Sequence, residues 1–222
     1  MDWYPLLNSL RVALLATGAS FLLGISAAYY TSKTPRIVRG VLDVLFTLPL
    51  VLPPTVIGFF LLKLLGPKGA IGKLCLALFD LPLAMKWYSA VFASAVVAFP
   101  LMYRTARGAF QSFERDLIYA GQTLGLSNTH IFWRILLPGC KQGVLAGVVL
   151  SFARALGEYG ATSMIAGYIP GRTATISTTV YQLWRTGDDA GAYLWIGVNL
   201  TVSLLVLLSL SFIERKAAEG KK

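Results

Sequence analysis

Four stretches of this sequence, residues 12–30, 44–62, 87–103 and 190–213, contain no Asp, Glu, Lys or Arg. Nothing else in the chain restricts its folding as much. A helix needs roughly 20 apolar residues to cross the hydrocarbon core of a bilayer, and these runs approach or exceed that length. In lipid every backbone N–H and C=O must find its partner within the protein, so runs of this kind are expected to be helices. The short alternating segments of a membrane β-barrel are missing from the sequence.

A fifth stretch, residues 143–168, is apolar except for Arg154 and Glu158 near its middle, and its length and flanks also fit a span. The expected fold is therefore an all-α polytopic membrane protein of about five transmembrane helices, forming a single domain over residues 1–222. Composition agrees: 14% of residues are charged, against roughly 25% in soluble globular domains. The first run reads as a retained helix and not a leader, because its n-region carries Asp2 and only Arg11 as a cation, with four further spans behind it.

The basic residues set the orientation. With the N-terminus outside, the inner segments 31–40, 103–143 and 213–222 carry twelve Lys and Arg and the outer segments seven. The positive-inside rule then places the N-terminus outside and the C-terminus in the cytoplasm. The net charge of +10 is thus a topology signal and does not point to nucleic acid. Cys75 falls on the outer side and Cys140 on the inner, so a disulfide between them is excluded. No metal-ligand spacing is present. The single histidine, His130, reads as a solvated surface residue.

Two places depart from plain membrane helices. The segment TLPLVLPPT, residues 47–55, holds Pro49, Pro53 and Pro54. Each proline removes a helical donor and frees a carbonyl four residues earlier. Such breaks are tolerated where backbone is buried in protein or lines a watery cavity. The alternatives are a packing kink and a pathway-lining element, with Thr47 and Thr55 offering hydroxyls to the freed carbonyls or to a solute. The second place is Arg154 and Glu158, four residues apart and so on one helix face. Ionisable groups at membrane depth are functional candidates, and a paired bridge that fixes packing is the equal alternative. Gly157 and Gly160 flank Glu158 and permit a local break or close backbone approach, which suggests a gate or hinge. Gly139, Gly143 and Gly147 form a small-residue stripe of the helix-packing kind. The loop GPKGAIGK, residues 66–73, imitates a phosphate-binding loop, but Pro67 and Leu74 stand where the pattern needs Gly and Ser or Thr.

The longest hydrophilic stretch runs from 104 to 143. Two short helices are expected there, one near 116–124 and one near 128–136, with Ser127 or Asn128 as N-cap. Gly125 is placed for a left-handed cap, and Pro138 is expected to end the second helix. This elbow is expected to present Ile131, Phe132 and Trp133 to the cytoplasm as a docking surface.

Gly125, separated by nine residues from Ile135-x-Leu137-Pro138, resembles the later half of the coupling motif of binding-protein-dependent ABC importer permeases. In the first half Ala120 fits, while Tyr119 stands in place of the usual Glu and Gly121 in place of the second Ala. Segments 48–58, 66–72, 99–104, 152–161 and 169–176 further resemble molybdate permeases, with sulfate and tungstate permeases as close relatives.

The resemblance implies a type I importer permease working as two copies in a bacterial or archaeal cytoplasmic membrane. Two separate ATPase subunits, which hold ATP and Mg, and an extracytoplasmic binding protein complete it. It also implies that the coupling loop, about 113–139, contacts the ATPase through Ala120, Gly121, Gly125, Ile135, Leu137 and Pro138. No cofactor is expected in the chain and no catalytic residue: it is read as a transporter subunit and not an enzyme. Pro53, Pro54, Thr55, Arg154, Gly157, Glu158 and Gly160 are the expected pathway and gate. An ion-coupled secondary carrier is the rival reading, set back by a single midplane carboxylate and no internal repeat.

Overall fold

The computed structural model describes residues 2–219, and among these it contains helices and connections only. The first crossing is α1, Tyr4–Lys33. The second is split into α2, Arg36–Val51, and α3, Pro54–Leu65, which meet at a bend of 107°. A short apolar helix, α4, Ala70–Phe79, leads to the third crossing, α5, Trp87–Gln111. The elbow comprises α6, Arg115–Thr123; α7, Asn128–Ile131; a π-turn at Phe132–Leu136; and α8, Leu137–Gly139. The fourth crossing is α9, Lys141–Leu156, followed after a break by α10, Gly160–Ile165. An amphipathic α11, Ile176–Arg185, precedes the last crossing, α12, Asp189–Glu219.

Among the described residues α1, α5 and α12 are each long and apolar enough to cross a membrane, and the number rises to five when α2 with α3, and residues 128–139 with α9, each count as one bent span. The second crossing is broken at Leu52 and Pro53, inside the proline segment 47–55 where the sequence reading allows a break or a kink. Pro53 and Pro54 supply no donors to the preceding turn, and Leu52 and Pro53 are extended, so the chain leaves one helix and starts another in a new direction.

α5 is the hub, packed against α1 on one side and α9 on another. The glycine stripe explains the second contact. A Cβ at Gly139 would sit 2.2 Å from Phe113, at Gly143 2.7 Å from Ala109 Cβ, and at Gly147 2.2 Å from Thr105 Oγ1. Only glycine allows α8 and α9 to approach this closely. By contrast no residue of α2 is buried. Leu200, Leu204, Leu205, Leu207 and Leu208 of α12 are more than half exposed. Apolar surface of this extent needs lipid or another chain against it.

The segments that the charge count groups together meet at the two ends of the bundle. At one end Tyr4 donates to the Arg172 carbonyl, Asn8 Nδ2 donates to the Ala174 carbonyl at 3.0 Å, and Arg11 stacks on Trp87. At the other, Phe132 meets Tyr29 and Phe110 at ring distances of 4.5 and 6.3 Å, and Cys140 Sγ contacts the Ala109 carbonyl. Lys221 and Lys222, counted among the inner charges, lie outside the described residues.

Thiol labelling checks the orientation. Cys140 is buried and Cys75 half-buried, so both are best removed and single cysteines placed at exposed Lys68 and Leu124. A membrane-impermeant maleimide should label Lys68→Cys in intact cells and Leu124→Cys only after permeabilisation. The reverse pattern would invert the topology.

Candidate gate and coupling elbow

The elbow owes its shape to Gly125. Its φ is +76°, a left-handed value that side chains resist. Its N–H donates to the Gln122 carbonyl at 2.9 Å and the N–H of Leu126 to the Gly121 carbonyl at 3.1 Å. This pair of bonds is the Schellman arrangement that closes a helix C-terminus, here α6. Ser127 then starts α7, its Oγ accepting from His130 N–H at 3.2 Å, as expected of an N-cap. Gly121 is buried beneath the second arm: a Cβ there would lie 3.2 Å from both Ile131 Cγ1 and Ile135 Cδ1.

Two expectations need correction. Ile131 is 4% exposed, because it fills the inside of the elbow over Gly121, and half-buried Phe132 packs on Tyr29. The large apolar side chains left exposed on the elbow are Trp133 together with Leu117, Tyr119 and Leu124, at 48–79% exposure. Nor does Pro138 end the second arm. The helix continues to Gly139, and the π-turn before it, closed by Leu137 N–H to the Phe132 carbonyl, shifts the backbone where Pro138 has no donor to give. Ala120, Gly125 and Pro138 are exposed, and Ile135 and Leu137 half-buried, on this same elbow.

The gate residues from two distant segments come together. Gly160 opens α10 directly against the start of α3: a Cβ there would meet Pro54 Cβ at 2.9 Å and Thr55 N at 3.2 Å. One turn further, a Cβ at Gly58 would come within 2.7 Å of Ala161 Cα. Gly58 is a contact that the sequence reading misses, since a lone glycine in an apolar run gives no sign of its neighbour. Pro53 and Thr55 are exposed, on a surface not covered by the chain itself. Gly157 differs from Gly160. Its φ is −86°, and the nearest atom to an added Cβ is 3.7 Å away, so neither its backbone nor its surroundings require glycine.

Glu158 fixes the break between α9 and α10. It is 3% exposed. Oε1 accepts the N–H of Ala161 at 2.8 Å, satisfying a free donor in the first turn of α10. Oε2 lies 2.6 Å from Arg154 Nη1, close enough for an ion pair but outside hydrogen-bond alignment. The expected pair is therefore present, and the carboxylate also ties the end of α9 to the start of α10. Arg154 keeps 30% of its side chain exposed, which lowers the desolvation cost of holding the pair in the bundle.

A third cluster joins α2 to α5. Asp43, on α2, accepts from both Tyr103 Oη and Arg107 Nη1 of α5. These groups are 60 or more residues apart in sequence, so no local pattern announces them.

Residues 20–217 match the family described as binding-protein-dependent transport system inner membrane component. The chain belongs to that family. This inner membrane component is 39% identical over 212 residues to a putative molybdenum transport system permease of Bacillus subtilis, covering 96% of this chain and 92% of the relative. It is 37% identical over 219 residues to the molybdenum transport system permease of Escherichia coli K12, covering 98% and 96%. The Haemophilus influenzae counterpart is 42% identical over 210 residues, covering 94% and 91%.

Among solved structures, a chain of the inward-facing MetNI methionine ABC transporter superposes with a TM-score of 0.73 at 13% identity, covering 96% of this chain and 94% of that one. A chain of a bacterial alginate ABC transporter, solved with its periplasmic protein, gives 0.74 at 18%, covering 95% and 77%. At these identities the likeness concerns the fold alone.

Proposed function

We propose that this chain is the membrane-spanning permease of an ATP-driven importer for a tetrahedral oxyanion, molybdate. It works as a pair of identical copies in the cytoplasmic membrane of a bacterium or archaeon. An extracytoplasmic binding protein delivers the anion, and two separate cytoplasmic subunits bind and hydrolyse ATP with Mg. The observation that carries the substrate is near-full-length identity, 37–42%, to permeases named for molybdenum transport. The elbow supports the ATPase partner, since an exposed Trp133 and Leu124 on a rigidly capped turn suit a docking surface.

The mechanism follows from how the parts are joined. α8 leads through Cys140 directly into α9, so displacement of the elbow is transmitted to the helix that ends at Glu158. Glu158 and Gly160 carry that motion to α10, which rests on the bent start of α3. The gate is thus α3 against α10, and its lever is α9. A dehydrated oxyanion would be costly in low dielectric. Thr55, the broken backbone at 52–54 and water are the groups proposed to accompany it.

Uptake of labelled molybdate by proteoliposomes holding the permease, the ATPase and the binding protein tests this reading. Uptake should require internal ATP and all three components. It should be inhibited far more by tungstate than by sulfate. Preferential sulfate uptake would reassign the anion, and ATP-independent uptake driven by an ion gradient would replace the class.

A further inference from the structure

We infer that the middle of α2 and the cytoplasmic end of α5 form a second, weaker binding site for a tetrahedral oxyanion, with Arg104 and Arg107 as its donors. A cavity of about 500 Å³ lies between these helices, lined by Asp43, Thr47, Tyr103, Arg104, Arg107 and Gln111 among others. Arg104 and Arg107 are three residues apart on α5 and so share a face. The positive-inside rule accounts for arginines at this end of the bundle. It does not account for two of them lining one cavity.

The charges there are unequally balanced. Asp43 is the single acidic residue among those lining the cavity, and it is already engaged by Tyr103 Oη and Arg107 Nη1. Arg107 keeps 18% of its side chain exposed, and its Nε is buried with no acceptor. Arg104 is exposed and has no ion pair among the described residues. One full positive charge, that of Arg104, is therefore left over, beside the exposed part of the Arg107 guanidinium. Guanidinium groups present planar forks that match oxyanions, and the Gln111 side-chain amide adds a neutral donor. The volume leaves room for an anion with part of its water shell, which suits weak binding and prompt release.

Position gives the site its use. Thr47 precedes Pro53 by six residues, so the cavity lies about 9 Å along α2 from the bend, at 1.5 Å per residue. An anion leaving the gate toward the cytoplasm meets these arginines next. That direction of travel rests on the importer reading, whereas binding itself does not.

The test is equilibrium binding of labelled molybdate to the permease–ATPase complex in nanodiscs of zwitterionic lipid, without binding protein. Saturable binding of about one anion per permease chain is expected. Arg104→Gln should weaken it about 10- to 100-fold. Arg104→Lys should restore part of it, and Arg115→Gln on the elbow should leave it unchanged. Inorganic phosphate should compete, as the shared tetrahedral chemistry requires. Unaltered affinity in Arg104→Gln, or no saturable binding, overturns the proposal. So does loss of molybdate binding when phosphatidylglycerol replaces part of the lipid, since that outcome assigns the arginines to a headgroup. Failure of binding alongside normal ATP-driven uptake would remove this site and leave the importer reading intact.

Discussion

Glu158→Ala is expected to reduce oxyanion uptake to near background. Two interactions end at that carboxylate: the Arg154 guanidinium at 2.6 Å and the Ala161 N–H at 2.8 Å. Removing one partner of a buried pair costs about 3–5 kcal/mol, because the remaining charge is left without compensation. Arg154 is partly exposed, so the lower end of that range applies. An orphaned N–H at the start of α10 adds to it. Glu158→Gln separates the two contributions, since its amide oxygen still accepts from Ala161 while the ion pair is gone; uptake should fall less. Arg154→Ala combined with Glu158→Ala should also be milder than Glu158→Ala alone, as no bare charge remains. Uptake and thermal stability of the assembled complex are the two readouts. A double variant as damaged as the sum of the single ones would show that the two charges act separately and would remove the clasp between α9 and α10.

The crossings were readable in the sequence because a bilayer imposes a length and a polarity on every span, and runs such as 190–213 satisfy both. The direction of the second crossing was not. Prolines at 49, 53 and 54 announce missing donors, but the 107° turn depends on which neighbour receives the new helix. That neighbour is α10, held by Gly160 against Pro54 and by Gly58 against Ala161. One half of each contact was visible as a glycine, and the other half lies some 100 residues away in the chain.

The elbow repeats the lesson at smaller scale. Its caps, Gly125 and Ser127, act within a few residues and were legible. The sequence reading puts Ile131 on the wrong side, because the space over Gly121 and not a local pattern chooses its face. Asp43 with Tyr103 and Arg107 shows the remaining gap. An acid at the edge of an uncharged run looks like a boundary marker until the fold supplies its partners.

Gly125→Val should leave the permease inserted at wild-type levels while uptake falls by about an order of magnitude. An added Cβ at this position meets nothing within 4 Å, so the effect comes from the backbone. A φ of +76° costs an ordinary L-residue about 1–2 kcal/mol, and a β-branched one more. The valine chain relieves that strain by leaving the left-handed region, which breaks the bonds from Gly125 N–H to Gln122 and from Leu126 N–H to Gly121. The end of α6 then unwinds, and Leu124 and Trp133 lose their fixed spacing on the docking face. The membrane helices do not depend on this turn, so insertion is spared and communication with the ATPase suffers. Gly125→Asn is the control, because Asn tolerates the left-handed conformation and should retain most of the uptake. ATP hydrolysis by the assembled complex, measured with and without loaded binding protein, should lose its stimulation in the Val variant and keep it in the Asn variant. Full stimulation with Val would detach the elbow from coupling. Equal damage from Asn and Val would show that the absence of a side chain at the contact, and not the backbone conformation, is what the partner requires.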